Sequence, residues 1–364
     1  LVTDTTGRTI EYAYDAAGHI TRILDPVGRS VIFAYDLNGN LISSTDPGGN
    51  TTSYTYDDKH QILTITDPLG NTVVANIYDA QRRVVSSQKD ALGAETLYSY
   101  DTVTKTTRIV DPYGNTSYYH YDDLLHLIQE QDAHGHSADY LYDERGNIVG
   151  VRDKNGNLTE YQNDENGNVL VKTDPLGNQI LATYDQNNNP LTKTDANGHM
   201  TIYTYDASGN LESIQDPLGN LTRFTYDSFG LMLTKTDALG NVSSNEYDMY
   251  GNIVAVVDAL GNRTTFTYDI VGRKLSEHHP LGRATAYEYD EMDHLISVTD
   301  ALSGVSTFTY DANGNKTGHT DANGNTITFA YDAKNRLISK TSALNEIEKY
   351  TYDLLDRRTA VRNP

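Results

Sequence analysis

The clearest signal in this chain is an alternation that starts, stops and returns. Count back from the Asp of each Tyr-Asp pair, as in Phe224-Thr225-Tyr226-Asp227. Position −1 is Tyr in 16 of 17 copies, with Asn163 the exception. Position −3 is Tyr or Phe in 14 of 17, with Asn76, Ala182 and Asn245 departing. Position −2 is small or polar, as at Thr204, Thr225, Thr267 and Thr309. A period of two predicts a β-strand with aromatics on one face and Thr on the other, and Thr, Tyr and Phe suit a strand. A second, Thr-rich strand follows, ending at a further Asp. Five residues before that Asp the residue is usually apolar, as at Ile20, Leu41, Leu211, Met232 and Ile253. Strict alternation puts it on one face with the polar −3 and −1 positions, and puts −4 and −2 (Val254 and Val256, Ile296 and Val298) on the other.

Turn chemistry separates the strands. Ala207-Ser208-Gly209-Asn210 and Ala312-Asn313-Gly314-Asn315 follow one Asp, and Pro217-Leu218-Gly219-Asn220 follows the other. An Asp side chain bonds its own backbone two residues on, Pro presets φ, and Gly supplies a positive φ. Each unit is therefore a β-hairpin. The first Asp recurs at Asp15, Asp36, Asp57, Asp79 and onward to Asp353, 17 copies in steps of 21, with a step of 22 on either side of Asp79. Turn Gly is missing after Asp57 and Asp101. A bulge or altered turn is expected in this middle region.

A fixed period of this length marks a repeat architecture. The fold class is all-β: tandem repeats of about 21 residues, about 34 strands, one continuous array over residues 1–364 with no separate catalytic domain. At ~4.8 Å per strand the antiparallel strip is on the order of 160 Å long. A sheet of that length coils under its own twist into a spiral or a hollow shell or barrel. Leu1 and Pro364 both fall inside a unit, so the array is expected to be a fragment of a longer shell, with exposed edges and a tendency to associate.

Composition sharpens this picture. There are 28 Tyr, 6 Phe, no Trp and no Cys, and only 37% of residues are apolar. That is lean for a chain with a thick core. Net charge is −22. The two repeat-locked Asp positions, filled 17 and 15 times, hold 32 of the 50 acidic residues, so the acidity is turn chemistry multiplied by copy number. It argues against nucleic acid or an anionic membrane as partner. The lack of Cys excludes disulfides and thiol chemistry, and no apolar run is long enough to span a membrane.

The composite word Tyr-x-Tyr-Asp-x-x-Gly-Asn-Leu, followed by Thr-Asp-Pro-Leu-Gly-Asn, resembles the YD repeats of the Rhs family. That family includes bacterial Rhs polymorphic toxins, toxin-complex C subunits and teneurins, and the resemblance covers the whole chain. It implies a hairpin strip wound into a shell of a secreted or cell-surface bacterial protein, enclosing a C-terminal toxin segment of the same polypeptide. The Arg-rich core region of the family, with its protease aspartates, has no counterpart here, so the resemblance implies casing and not an autoprotease. An extracellular adhesion module that recognises a cell-surface glycan or protein is the alternative.

No catalytic, cofactor or metal site is expected. Repeated Asp could in principle gather calcium, which takes six to eight oxygens, but the two Asp of a unit lie ten residues apart, at opposite edges of the strip. Turn capping is the simpler reading. His134-x-His136 and His278-His279 are the only His clusters; each occurs once, in a turn, without a repeated carboxylate partner. Exposed Tyr rows could stack on glycans, although their regular spacing favours ladders between strands. Nucleophile, base and orienting group never come together in the sequence.

Overall fold

The structure, a computed structural model, describes all 364 residues and contains 35 strands and no helix. After the two-residue β1 (Val2–Thr3), six- or seven-residue strands that carry the aromatics alternate with five-residue strands. Every strand pairs antiparallel with its sequence neighbours. The sheet does not close: β1 pairs only with β2 (Thr9–Tyr14), and β35 (Arg358–Arg362) pairs only with β34 (Ile347–Tyr352). The expected strip is thus present, one strand longer than the count of repeats implied.

The unit around Asp227 shows how the hairpin is built. In β22 (Leu221–Tyr226) and β23 (Met232–Thr236), Phe224 pairs with Lys235 and Thr225 with Thr234. The register then shifts, and Tyr226 pairs with Met232. Leu233 is the extra residue of a β-bulge, and the same shift recurs in nearly every hairpin. It corrects the face assignment expected for the second strand. The bulge breaks strict alternation, so the apolar −5 residue (Met232) joins the aromatic face together with −2 (Lys235). Positions −3 and −1 (Thr234, Thr236) fall on the Thr face. There the hydroxyls of Thr225 and Thr234 lie 2.6 Å apart, and those of Thr183 and Thr192 2.7 Å apart.

The middle departs as expected. Facing β8 (Thr72–Tyr78), β7 (Ile62–Thr66) has a register shift between Ile65 and Thr66. The turn after Asp79 is one residue longer, closing with the Asp79 N–H on the Val84 carbonyl and a positive φ at Arg83. These two insertions are the two steps of 22. After Asp101 the chain makes a four-residue loop without a bulge, with Lys105 at φ 51°.

Only 8 of 364 residues are buried, and the buried apolar ones are Ala138 and Ala255. The fold is a single layer held by its ladders rather than by a dry interior. It nonetheless meets itself. Asn313 Nδ2 donates to Asp67 at 2.7 Å, Lys334 Nζ to Asp90 at 2.6 Å, and the Leu354 N–H to the Tyr113 hydroxyl at 3.1 Å. These partners are 246, 244 and 241 residues apart, roughly eleven and a half 21-residue units. The strip winds as a spiral, and one edge of its first units lies on the opposite edge of its last. At ~4.8 Å per strand such a turn has a circumference of about 110 Å and is roughly 35 Å across.

Candidate functional site

Three repeated constructions make up the working surface: the capped turns at both edges, the Tyr row on the aromatic face, and the seam where the edges meet.

The turns are built alike. Asp206 Oδ1 accepts the N–H groups of Ser208 and Asn210, and Oδ2 accepts Asn210 Nδ2, all at 2.9 Å. Its backbone N–H donates to the Asn210 carbonyl, and Gly209 closes the turn at φ 86°. The Asn210 amide, followed by the backbone donors, holds the Asp206 carboxyl below its ordinary value of 3.8. Asp174, Asp237 and Asp258 are lowered in the same way by Asn178, Asn241 and Asn262. Both oxygens of each carboxylate are engaged within their own turn. That is the capping role read from the sequence, and it explains the Asn or Arg four residues after Asp. His19, His126 and His294 replace that Asn. Each reaches the Asp Oδ2 and stacks on the next Tyr at 4.5–4.8 Å.

The Tyr row has a task that strand propensity did not reveal. Ten of its hydroxyls donate to a backbone carbonyl in the preceding unit, usually 15 residues back. The acceptor is the first residue of a bulged second strand. Burial, then the nearby Asp206 carboxylate, pushes the pKa of Tyr226 up. Asn163, the one exception at −1, keeps the bond: its Nδ2 donates to the Ile148 carbonyl at 3.0 Å. At −3, Asn76 and Asn245 bond the corresponding carbonyls of Ile62 and Met232. The numerical clue was the excess of Tyr over Phe at −1.

At the seam, Arg29 Nη1 donates to Asp293 at 2.5 Å, and Arg273 Nη1 donates to the same Asp293 oxygen at 3.0 Å. Lys334 joins Asp90 to Asp356, each at 2.6 Å, and Arg8 stacks on Tyr250 at 4.9 Å. Asp293 and Asp356 occupy the turn slot that is usually Gly, at φ 65° and 64°. A left-handed conformation costs a side-chain-bearing residue roughly 1–2 kcal/mol, least for Asn and Asp. Here the side chain so gained joins neighbouring turns to each other and to the seam.

The His pairs are not brought together. His134 and His136 stack on one another at 6.2 Å within one turn, and His279 sits 3.3 Å from Glu277 in a separate unit.

A family model described as RHS Repeat matches residues 1–30, 35–72, 121–158, 164–200, 184–221, 205–242, 247–284, 272–305, 289–326 and 331–364. Residues 73–120, which hold the altered turns after Asp79 and Asp101, fall between matches. No curated protein matches the chain in sequence. Among solved structures, TcdB2-TccC3-TEV is similar over 98% of this chain and 23% of its own, at 16% identity and TM-score 0.74. TcdB2-TccC3 without its hypervariable C-terminal region is similar over 98% and 22%, at 16% identity and TM-score 0.76. The chain thus spans less than a quarter of those chains, and at this identity the likeness is one of fold.

Proposed function

The chain belongs to the RHS repeat family, and from that premise we propose that it is a wall segment of a secreted or surface-displayed bacterial Rhs-type protein that encloses a C-terminal toxin segment of the same polypeptide and helps deliver it. The observation that carries this reading is the spiral seam. A strip that returns onto its own edge after about eleven and a half units bounds a space, and a single layer with almost no buried side chains has no interior of its own to fill. Paired strands and capped turns leave few backbone groups free for a protease. Polar Thr and half-exposed Tyr would let an unfolded segment stay mobile against the wall. The likeness of the strip to TcdB2-TccC3 supports the reading at the level of fold. The residues described here serve as casing and carry no catalytic role in it.

The test is limited proteolysis of the full polypeptide that contains these repeats. The C-terminal segment should resist digestion and become cleavable when Tyr205, Tyr226 and Tyr247 are changed to Ala, which removes three bonds holding adjacent hairpins. Equal digestion of both forms would count against enclosure.

An extracellular adhesion module is the second reading, and the exposed apolar turn tips such as Leu218 and Phe229 favour it. Glycan-array or cell-surface binding by the strip alone, lost on changing the atypical turns after Asp79 or Asp101, would support it over casing.

A further inference from the structure

The aromatic face has one empty rung. Of the three copies without an aromatic at −3, Asn76 and Asn245 fill the place with an amide that bonds the local carbonyl. Ala182 puts only a methyl group there. The result is an open cavity of about 640 Å³ centred on Ala182. Tyr161 and Tyr203, the −3 rings of the units before and after, bound its two ends, each two strands from Ala182. Its floor is fixed: the Tyr184 hydroxyl donates to the Val169 carbonyl at 3.2 Å and the Tyr205 hydroxyl to the Pro190 carbonyl at 3.0 Å.

Charge marks the same place. Lys193 pairs across the strands with Ala182, and Lys172 with Tyr161 and Ile180. Both line the cavity, and no carboxylate does. Lys172 and Lys193 form no ion pair, unlike Lys274 and Lys334, which are held by Glu277 and Asp90. Lys235 and Lys316 on the same face are also unpaired, but each of those faces a Phe at −3, Phe224 and Phe308. In a chain of net charge −22, two unpaired cations over an apolar slot are a local inversion. At physiological salt, charges more than about 8 Å away are largely screened, so the field inside the slot is set by the two lysines and, at the Tyr205 end, by Asp185.

We propose that this vacant rung is a binding site for a phenyl-sized aromatic ring bearing an anionic group, such as an aryl carboxylate. The ladder itself defines the shape of the ligand, because 14 of 17 units place a Tyr or Phe ring at the equivalent position. The ring lies over Ala182, in the place of the missing −3 ring and between the stems of Lys172 and Lys193 on the two flanking strands, and the anion meets those lysines as charge-assisted hydrogen-bond donors. This site stands independently of the casing role.

The experiment is an NMR titration of the whole chain with 4-hydroxyphenylacetate, run beside its neutral methyl ester. The parent should bind the acid in preference to the ester. Ala182→Phe restores the usual rung, should melt no lower than the parent, and should weaken binding of the acid at least tenfold. Lys172→Gln with Lys193→Gln should leave the ester unaffected and abolish the preference for the acid. Binding unchanged in Ala182→Phe would overturn the proposal, as would equal binding of acid and ester by the parent or no binding of either.

Discussion

The Tyr226 hydroxyl donates a 2.9 Å hydrogen bond to the Leu211 carbonyl, fifteen residues earlier. The ladder between β21 (Leu211–Gln215) and β22 stops at the pair Ser213 and Arg223. The bulge in the preceding hairpin, between Thr204 and Tyr205, carries Leu211 away from the next strand. Its carbonyl would lack a partner on that side, and the phenol supplies one. Hairpins are thereby fastened to each other at the one place where bulging would separate them.

Removing that hydroxyl tests the bond without disturbing the ring. Tyr226→Phe should destabilise the strip by about 1 kcal/mol, the usual net worth of such a bond, read as a lowered urea midpoint. Tyr226→Asn should retain part of the bond, since Asn163 already makes it naturally. If Phe and Tyr prove equally stable, the ring contributes by covering the strands beneath it and the hydroxyl contributes nothing.

The seam gives a second prediction. Lys334 lies between Asp90 and Asp356 and is only 17% exposed. Lys334→Ala should loosen the last units from the first, by about 1 kcal/mol after allowance for partial solvent screening. Hydrogen exchange should quicken around Asp90 and around Lys334 together, 244 residues apart, and not at Asp206 on the uncontacted arc. A swap of Asp90→Lys with Lys334→Asp should restore protection at the seam only when Asp356→Asn is added, because Asp356 would otherwise face the new carboxylate.

These two cases also mark what could be read from the chain beforehand. The period, the strand–turn–strand unit and the Asp caps were legible because each depends on neighbours within about six residues, as Asp206 depends on Ser208 and Asn210. The bulge was not. Leu233 has no composition that distinguishes an extra residue from an ordinary strand residue, so the face of Met232 was misassigned. Nor was the seam: nothing local to Asp67 points to Asn313, because the pitch of the spiral is set by twist accumulated over many strands. The empty rung at Ala182 was visible as an exception, but its lysines became neighbours of it only once the register was known.

Acid should weaken the strip through its turn carboxylates. Asp174, Asp206, Asp237 and Asp258 are lowered first by an Asn side chain and then by backbone donors. Because their folded values lie below the unfolded range near 3.9, the unfolded chain takes up protons first. Their contribution is complete above that range and is lost as pH falls through it toward the folded values. Urea midpoints should therefore be level from neutral pH down to the carboxylate range and fall beneath it. Asn178→Ala, Asn210→Ala, Asn241→Ala and Asn262→Ala together should lower the plateau and flatten the fall. A midpoint that rises on acidification would mean that relief of the repulsion among 50 acidic residues outweighs the caps.

The free edge gives the last prediction. At the second turn of each unit, Leu69 and Leu92 are 50% and 53% exposed where the seam covers that edge; Leu218, Leu239 and Leu260, on the uncovered arc, are 87–88% exposed. The residues are equivalent, so the difference measures what an edge-to-edge contact covers. The opposite edge is also uncovered from the first units to the eleventh, with Leu37 and Phe229 projecting from its turns. The two free edges match those already joined at the seam, and two chains stacked head to tail would repeat that contact without closing it. Sedimentation should show mass increasing with concentration. Leu218→Asp with Leu239→Asp and Leu260→Asp should return the chain to monomer without altering its melting. Those positions are solvated in the single chain, so a drop in melting temperature would mean that they hold the strip together instead, and a monomer at every concentration would show that the exposed edge does not associate on its own.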